Sequence, residues 1–183
     1  MSNQIPFELG VSGKVSQEML LGKVCCFDDT DRINRDAQSG VAKLLSGMKI
    51  FARLVRNETG STLAAGLIVE WDTGTTYGPG KAVKTIAGDD EYGCGVVDPY
   101  LSSSVADDDF FWLIHTGPTY VQSDGNAIAN PNTRICCDAS GQVRAWVAGT
   151  DEPDSVFGVN IDAAPASAGT LYRALVRFPY IGL

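Results

Sequence analysis

From residue 57 onward, turn signals cut the chain about every 8–15 residues, and this spacing constrains the fold more than any other feature. NETGS (57–61) precedes TLAAGLIVEW (62–71), and later segments are FFWLIHTG (110–117), TYVQ (119–122), TRICCDASG (133–141), QVRAWVA (142–148), SVFGVNI (155–161) and TLYRALVRF (170–178). Short segments rich in Val, Ile, Thr and aromatic residues, bounded by Gly, Pro, Asn, Asp and Ser, read as strands. The 20 Gly and 8 Pro supply the turns. Many short strands at such spacing predict an all-β protein, a β-sandwich or β-barrel. The connection 72–93 is expected to hold one short strand near 81–86, and GVVD (95–98) a further one.

The N-terminal part reads differently. Residues 1–20 carry Gly10, Gly13 and separated apolar residues, the pattern of an extended arm. A first strand is expected within KVSQEMLLGKVCCF (14–27), followed by a polar loop, DDTDRINRDAQ (28–38). Val41, Leu44, Leu45 and Met48 have helical spacing, but Gly40 and Gly47 limit any helix to a short turn before a strand at 48–56. The expected division is an N-terminal arm and loop over 1–40 and a β-rich body over 41–183. In the arm, Ile5, Phe7 and Leu9 are candidate anchors that would add a strand or apolar contacts to a partner.

The most apolar segment is FFWLIHTG. On a strand, Phe111, Leu113 and His115 share one face while Phe110, Trp112 and Ile114 take the other. A strand apolar on both faces must be covered on both, by a second sheet or by another subunit. Trp112, Ile114 and His115 are therefore candidate subunit-interface residues. Two hairpin-like units echo each other: GVVD before FFWLIHTG, and GVNID before TLYRALVRF. In each, a strand ends in Asp, a loop reverses the chain and an aromatic-bearing strand returns, so the run 163–169 reads as a connection between neighbouring strands.

Charge bears on the partners. The net charge is −8, distributed as +1 over residues 1–60 and −9 over 61–183. So acidic a body repels phosphate backbones, and no direct nucleic-acid partner is expected. The start lacks a basic segment followed by an apolar one, and no apolar run approaches the roughly 18 residues of a membrane span. Neither secretion nor a membrane is expected, and synthesis is expected in a cytoplasm. The five cysteines, Cys25, Cys26, Cys94, Cys136 and Cys137, are a poor disulfide framework. Neighbours on a strand point to opposite faces, so each Cys-Cys pair is expected to send one thiol inward and one outward.

Nothing in the sequence predicts catalysis. The one histidine, His115, would have to serve any triad, and no G-x-S-x-G supplies a nucleophile. The carboxylates at 28–31, 89–91 and 107–109 sit in turns. The 28–36 loop fails as a calcium loop, with Ile33 and Asn34 where an oxygen ligand and Gly belong, so no metal site is expected. The glycines at 77–81 enclose Pro79 and form no phosphate loop, and no cofactor is expected. Asn57-Glu58-Thr59 matches a glycosylation triplet. Trp71, Trp112 and Trp146 could stack on sugar rings, which keeps a carbohydrate-binding β-sandwich open as an alternative.

Six stretches together carry a resemblance: GLIVEWD, GPGKAVKTIAG, GVVDPYL, FWLIHTGPTYV, SGQVRAWVAG and FGVNIDAAPASAGTLYRALVRF. Their order resembles the capsid decoration (cement, or head-stabilising) proteins of tailed bacteriophages. The matching positions are Gly117-Pro118-Thr119, Asp138-Ala139-Ser140-Gly141 with Val143, and Gly158 through Leu171. The resemblance covers about residues 62–183, and these motifs are turn chemistry. It implies a virion structural protein without enzymatic activity, made in the host cytoplasm. Such a protein is a homotrimer on the capsid surface that clamps neighbouring copies of the major capsid protein. Another virion part, such as a head fibre base, minor capsid protein or tail protein, is the nearest alternative.

Overall fold

The computed structural model describes residues 20–28, 47–74, 77–86, 88, 93–101 and 103–178. The described chain is almost entirely β-structure. Its strands are β1 (Val24–Asp28), β2 (Lys49–Asn57), β3 (Ile68–Trp71), β4 (Ala82–Thr85), β5 (Gly95–Val97), β6 (Phe110–Gln122), β7 (Arg134–Cys137), β8 (Val143–Ala145), β9 (Gly158–Asn160) and β10 (Leu171–Arg177). A 3-10 turn, Pro153–Ser155, precedes β9.

The ten strands form one sheet in the order β1-β2-β4-β3-β5-β6-β10-β9-β7-β8, with a further pairing between β2 and β6. That extra pairing closes a ring: β2 to β4, β4 to β3, β3 to β5, β5 to β6, and β6 back to β2. Each strand of the ring sends apolar side chains into one cluster, namely Val55, Val83, Val69, Val97, Phe111 and Leu113. This is the interior of a small barrel, and closure leaves its strands without free edges. Leu63 and Val105 exchange backbone hydrogen bonds of 2.9 Å beneath it and are themselves buried in the same cluster.

The remaining strands, β10, β9, β7 and β8, continue from the second half of β6 as an antiparallel sheet. A larger core lies between this sheet and the outer face of the barrel. It joins Leu54, Ile68, Trp112 and Ile114 from the barrel strands to Ile135, Val143, Tyr172 and Val176 from the sheet. Strand β6 belongs to both layers, which explains why FFWLIHTG is apolar on both faces: one lines the barrel and the other meets the sheet.

The face that β6 turns to the larger core changes at Gly117-Pro118. Ahead of it, Phe110, Trp112 and Ile114 face that core; beyond it, Val121 does, beside Tyr172 and Ala174 of β10. The switch is a bulge, since Phe51 pairs with Thr116 and Ala52 with Ile114, leaving His115 as the extra residue. Gly117 then adopts φ +121. Pro118 has no N–H for a ladder and is tolerated in a strand at such an irregularity. The two strands expected at 110–117 and 119–122 are thus one continuous strand, because β10 takes up pairing where β2 leaves off.

The expected strand over 62–71 is shorter, because Gly66 at φ +81 turns the chain and only Ile68–Trp71 pairs as a strand. The segments expected near 48–56 and 81–86 are present as β2 and β4. GVVD and GVNID pair antiparallel with the strands that follow them, so the run 163–169 joins neighbouring strands. Of the expected arm and loop over 1–40, residues 24–28 are an edge strand on β2, while Ile5, Phe7, Leu9 and the helical turn at 41–46 lie outside the described residues.

Candidate functional site

The motif residues are structural fasteners. Asp138 Oδ1 accepts the backbone N–H groups of Ser140 and Gln142, both at 2.8 Å, and shapes the turn between β7 and β8. Gly141 in that turn has φ +73, and its carbonyl accepts the Ile68 N–H at 2.8 Å, tying the sheet to the barrel. Further along, the buried Asn160 accepts the Thr133 N–H at 2.7 Å and donates to the carbonyls of Asn130 and Asp162. Asp162 holds the Arg173 guanidinium through both carboxylate oxygens, which keeps its pKa below the usual carboxylate range. Ser123 Oγ donates to Pro165 O at 2.8 Å and fixes the run between β9 and β10.

The carboxylates at 107–109 are likewise built in. Asp107 accepts the Gly60 N–H at 2.9 Å and Asp108 pairs with Arg56. Asn57 of the glycosylation triplet is fully buried, and its amide donates to the carbonyls of Ser61 at 2.8 Å and Ala106 at 3.0 Å. No glycan can reach it in the folded chain. Among the described residues, no three of His, Cys, Asp and Glu lie close enough together to hold a metal ion.

Trp112 (1 % exposed), Ile114 (0 %) and His115 (6 %) are covered within one chain. Trp112 lies in the larger core and also meets the ring of Phe27 on β1 edge-to-face at 5.1 Å, so part of its cover comes from the N-terminal segment. Of the two covers that the pattern of β6 allows, the structure shows the chain's own sheets, leaving these side chains almost no surface for a neighbouring subunit. The full burial of Trp112 also removes it from any sugar-stacking set. Trp71 lies under the Arg53 guanidinium at 5.5 Å, and Trp146 under that of Arg134 at 5.5 Å.

His115 sits at the rim of the barrel, its ring 5.7 Å from that of Trp71. Burial pushes its pKa down from 6.5 to about 4, helped by Arg53 and opposed by a hydrogen bond to the Cys94 backbone. The unfolded chain therefore binds this proton more tightly. The stabilisation is fully present above about pH 6.5 and is lost as pH falls toward about 4. A shift of this size amounts to about 3 kcal/mol at the acid end. In His115→Gln, urea unfolding at pH 7 and pH 4 should differ by about 2–3 kcal/mol less than in the parent protein. An unchanged difference would contradict this origin.

Cys136 and Cys137 are both buried, where one outward thiol was expected. Cys137 faces the larger core, and Cys136 on the opposite face lies beneath the loop that carries Asp151, with Sγ 3.7 Å from its carboxylate. In the other pair, Cys25 is half-buried and Cys26 exposed. None of the five cysteines is in a disulfide.

Apart from Val147 (51 % exposed) after β8, the exposed large apolar side chains among the described residues lie on two surfaces. One is the outer face of the β1–β2 ribbon. Cys26 lies directly opposite Phe51 and Val24 opposite Arg53, with Met48 just before β2. Val24, Met48 and Phe51 are 38 %, 45 % and 42 % exposed. The other is the outward face of β10, β9 and β7, where Leu175 pairs with Val159 and Val159 with Arg134. Ile161 on this face is 37 % exposed, and Trp146 lies against Arg134. Sequence reading missed both, because alternation with single apolar residues on the outer face is the ordinary pattern of a strand.

No family model and no curated protein matches the chain. Among solved structures, the fold is similar to the N base of head fiber gp8.5 in bacteriophage phi29, at 16 % identity and a TM-score of 0.47, over 69 % of this chain and 93 % of that one. It is also similar to a chain in the capsid of Myoviridae phage XM1, at 12 % identity and a TM-score of 0.46, over 72 % of this chain and 86 % of that one. Both likenesses are too remote to carry a function across.

Proposed function

We propose that this protein is a non-enzymatic structural component of a tailed-phage virion that decorates and stabilises the capsid. It does so as a homotrimer tying neighbouring major capsid protein subunits together. The observation that carries this reading is the work done by the residues of the resemblance. Gly117, Asp138, Gly141 and the 158–171 unit join the barrel to the sheet and close its turns, so the residues that carry the resemblance build the body and form no reactive site. The exposed Val24, Cys26, Met48 and Phe51 on an edge ribbon suit a protein that works through its surface.

In this reading the ribbon and the arm preceding it face the shell, with Ile5, Phe7 and Leu9 as anchors. A trimer engaging three capsid subunits gains avidity, because its second and third contacts become intramolecular. The shell is stabilised in turn by a ligand that binds only its assembled form. Replacing Ile5, Phe7 and Leu9 together by Ala should weaken co-sedimentation with capsid shells by about tenfold or more while leaving thermal unfolding of the body unchanged. Undiminished binding would remove the arm from the account.

A further inference from the structure

The outward face of β10, β9, β7 and β8 has an unusual composition for a solvated sheet. Inward positions Ala174, Val176 and Ile135 belong to the larger core, so by alternation Arg173, Leu175, Arg177, Val159 and Arg134 face outward. Such positions are normally polar on the wet side of an antiparallel sheet. Here the half-buried Leu175, Val159 and Trp146 and the exposed Ile161 are apolar, and they are framed by Arg134, Arg177 and the Arg173–Asp162 ion pair. The strand positions of this face carry no acid and no lysine, although the chain has 22 Asp and Glu. Aromatic and Arg enrichment with depletion of Lys, Asp and Glu is the composition of an interface core. The Arg134 guanidinium over the Trp146 ring, at 5.5 Å, presents a flat cationic surface.

We infer that this arginine-framed face binds a second copy of the same chain, at an acidic surface of that copy, and so forms the head-to-tail contact of the trimer. Charge decides the geometry. A two-fold contact would bring Arg134 and Arg177 of both copies into one interface, whereas Arg173 is already paired with Asp162, and like charges facing each other there oppose association. The contact is therefore between two different surfaces, and a contact of that kind closes into a ring when the rotation between copies is a third of a turn, as the trimeric reading requires. The chain supplies a complementary surface: Glu58, Asp107 and Asp108 gather around Arg56 beside the turn before β6, so that acids outnumber the one guanidinium they share. Asp108 is half exposed there. This inference rests on the trimeric reading above and adds to it the face that makes the contact.

The test is absolute mass in solution by sedimentation equilibrium, on the whole chain at low and high salt, beside shell binding measured separately. The parent protein should sediment as a multiple of 19.4 kDa. Arg134→Glu with Arg177→Glu should raise the concentration for half-association by about tenfold or more, and Val159→Glu should do the same. All three positions are outside the core, and circular dichroism will establish that each variant is folded. Added salt should weaken association of the parent protein. A parent protein that stays monomeric at high concentration overturns the inference, as does an oligomer that both variants leave intact. A monomer that still binds shells overturns this contact alone, whereas an oligomer that ignores shells overturns the capsid reading alone.

Discussion

Gly117→Ala should destabilise the protein by roughly 3–5 kcal/mol, a large part of the margin of an ordinary domain. The position combines two costs. Its φ of +121 lies where side chains with a Cβ rarely go, and that Cβ would come 2.6 Å from the Lys49 carbonyl and 3.0 Å from Ile50 Cα. Both neighbours are backbone of β2, which is paired with β1 there and buries Ile50 in the larger core, so neither can move aside cheaply. Gly60→Ala is the matched control, with φ +73 and nothing within 4 Å of the added Cβ. It carries only the conformational cost, about 1 kcal/mol. Urea midpoints for the two variants separate the terms. If Gly117→Ala costs no more than Gly60→Ala, the bulge is not the tight junction described above.

Asp151→Asn should cost about 3 kcal/mol and expose a thiol. The Asp151 carboxylate receives Arg144 through two nitrogens, at 2.8 and 3.0 Å, and the Val147 N–H at 2.6 Å. The Arg144 hydrogen bonds hold its pKa below the usual carboxylate range. Removing one partner of a mostly buried pair leaves the other charge uncompensated, which costs 3–5 kcal/mol when burial is complete. Arg144 keeps 21 % of its side chain exposed, so the lower end applies. Because this carboxylate fastens the loop over Cys136, alkylation of that thiol should accelerate by tenfold or more in the variant, and mass spectrometry of the labelled peptide reads it. A Cys136 as protected as in the parent would contradict the role of Asp151 as the fastener. The lowered pKa sets the sign with pH: the stabilisation is present above the ordinary carboxylate range and is lost as pH falls through the folded-state value.

The strands were legible where local chemistry dictates them. Asp138 and Gly141 mark a turn by side-chain hydrogen bonding and positive φ, and both signals are written in the residue types. That FFWLIHTG is buried on both faces was equally plain. Its cover was not, because apolarity states that a face is buried and says nothing of what buries it. Here Phe27, far away in sequence, meets Trp112. Closure of the barrel depends on β2 pairing with both β4 and β6, a non-local choice that no window of sequence contains. Gly117-Pro118 read as a break between strands, since its bulge keeps the strand running only because β10 stands ready to pair. The outward Leu175 and Val159 were hidden for a related reason: their coincidence on one surface appears only once the register of β10 and β9 is known.

The central claim is that the molecule acts by binding an assembled shell, and co-sedimentation tests it most directly. Purified protein would be titrated against phage capsid shells that lack it, and the bound amount measured. The account predicts saturable binding at a fixed number of copies per shell, with shells more resistant to heat when saturated. Protein that remains in the supernatant at every concentration, with shells no more heat-resistant, would contradict it.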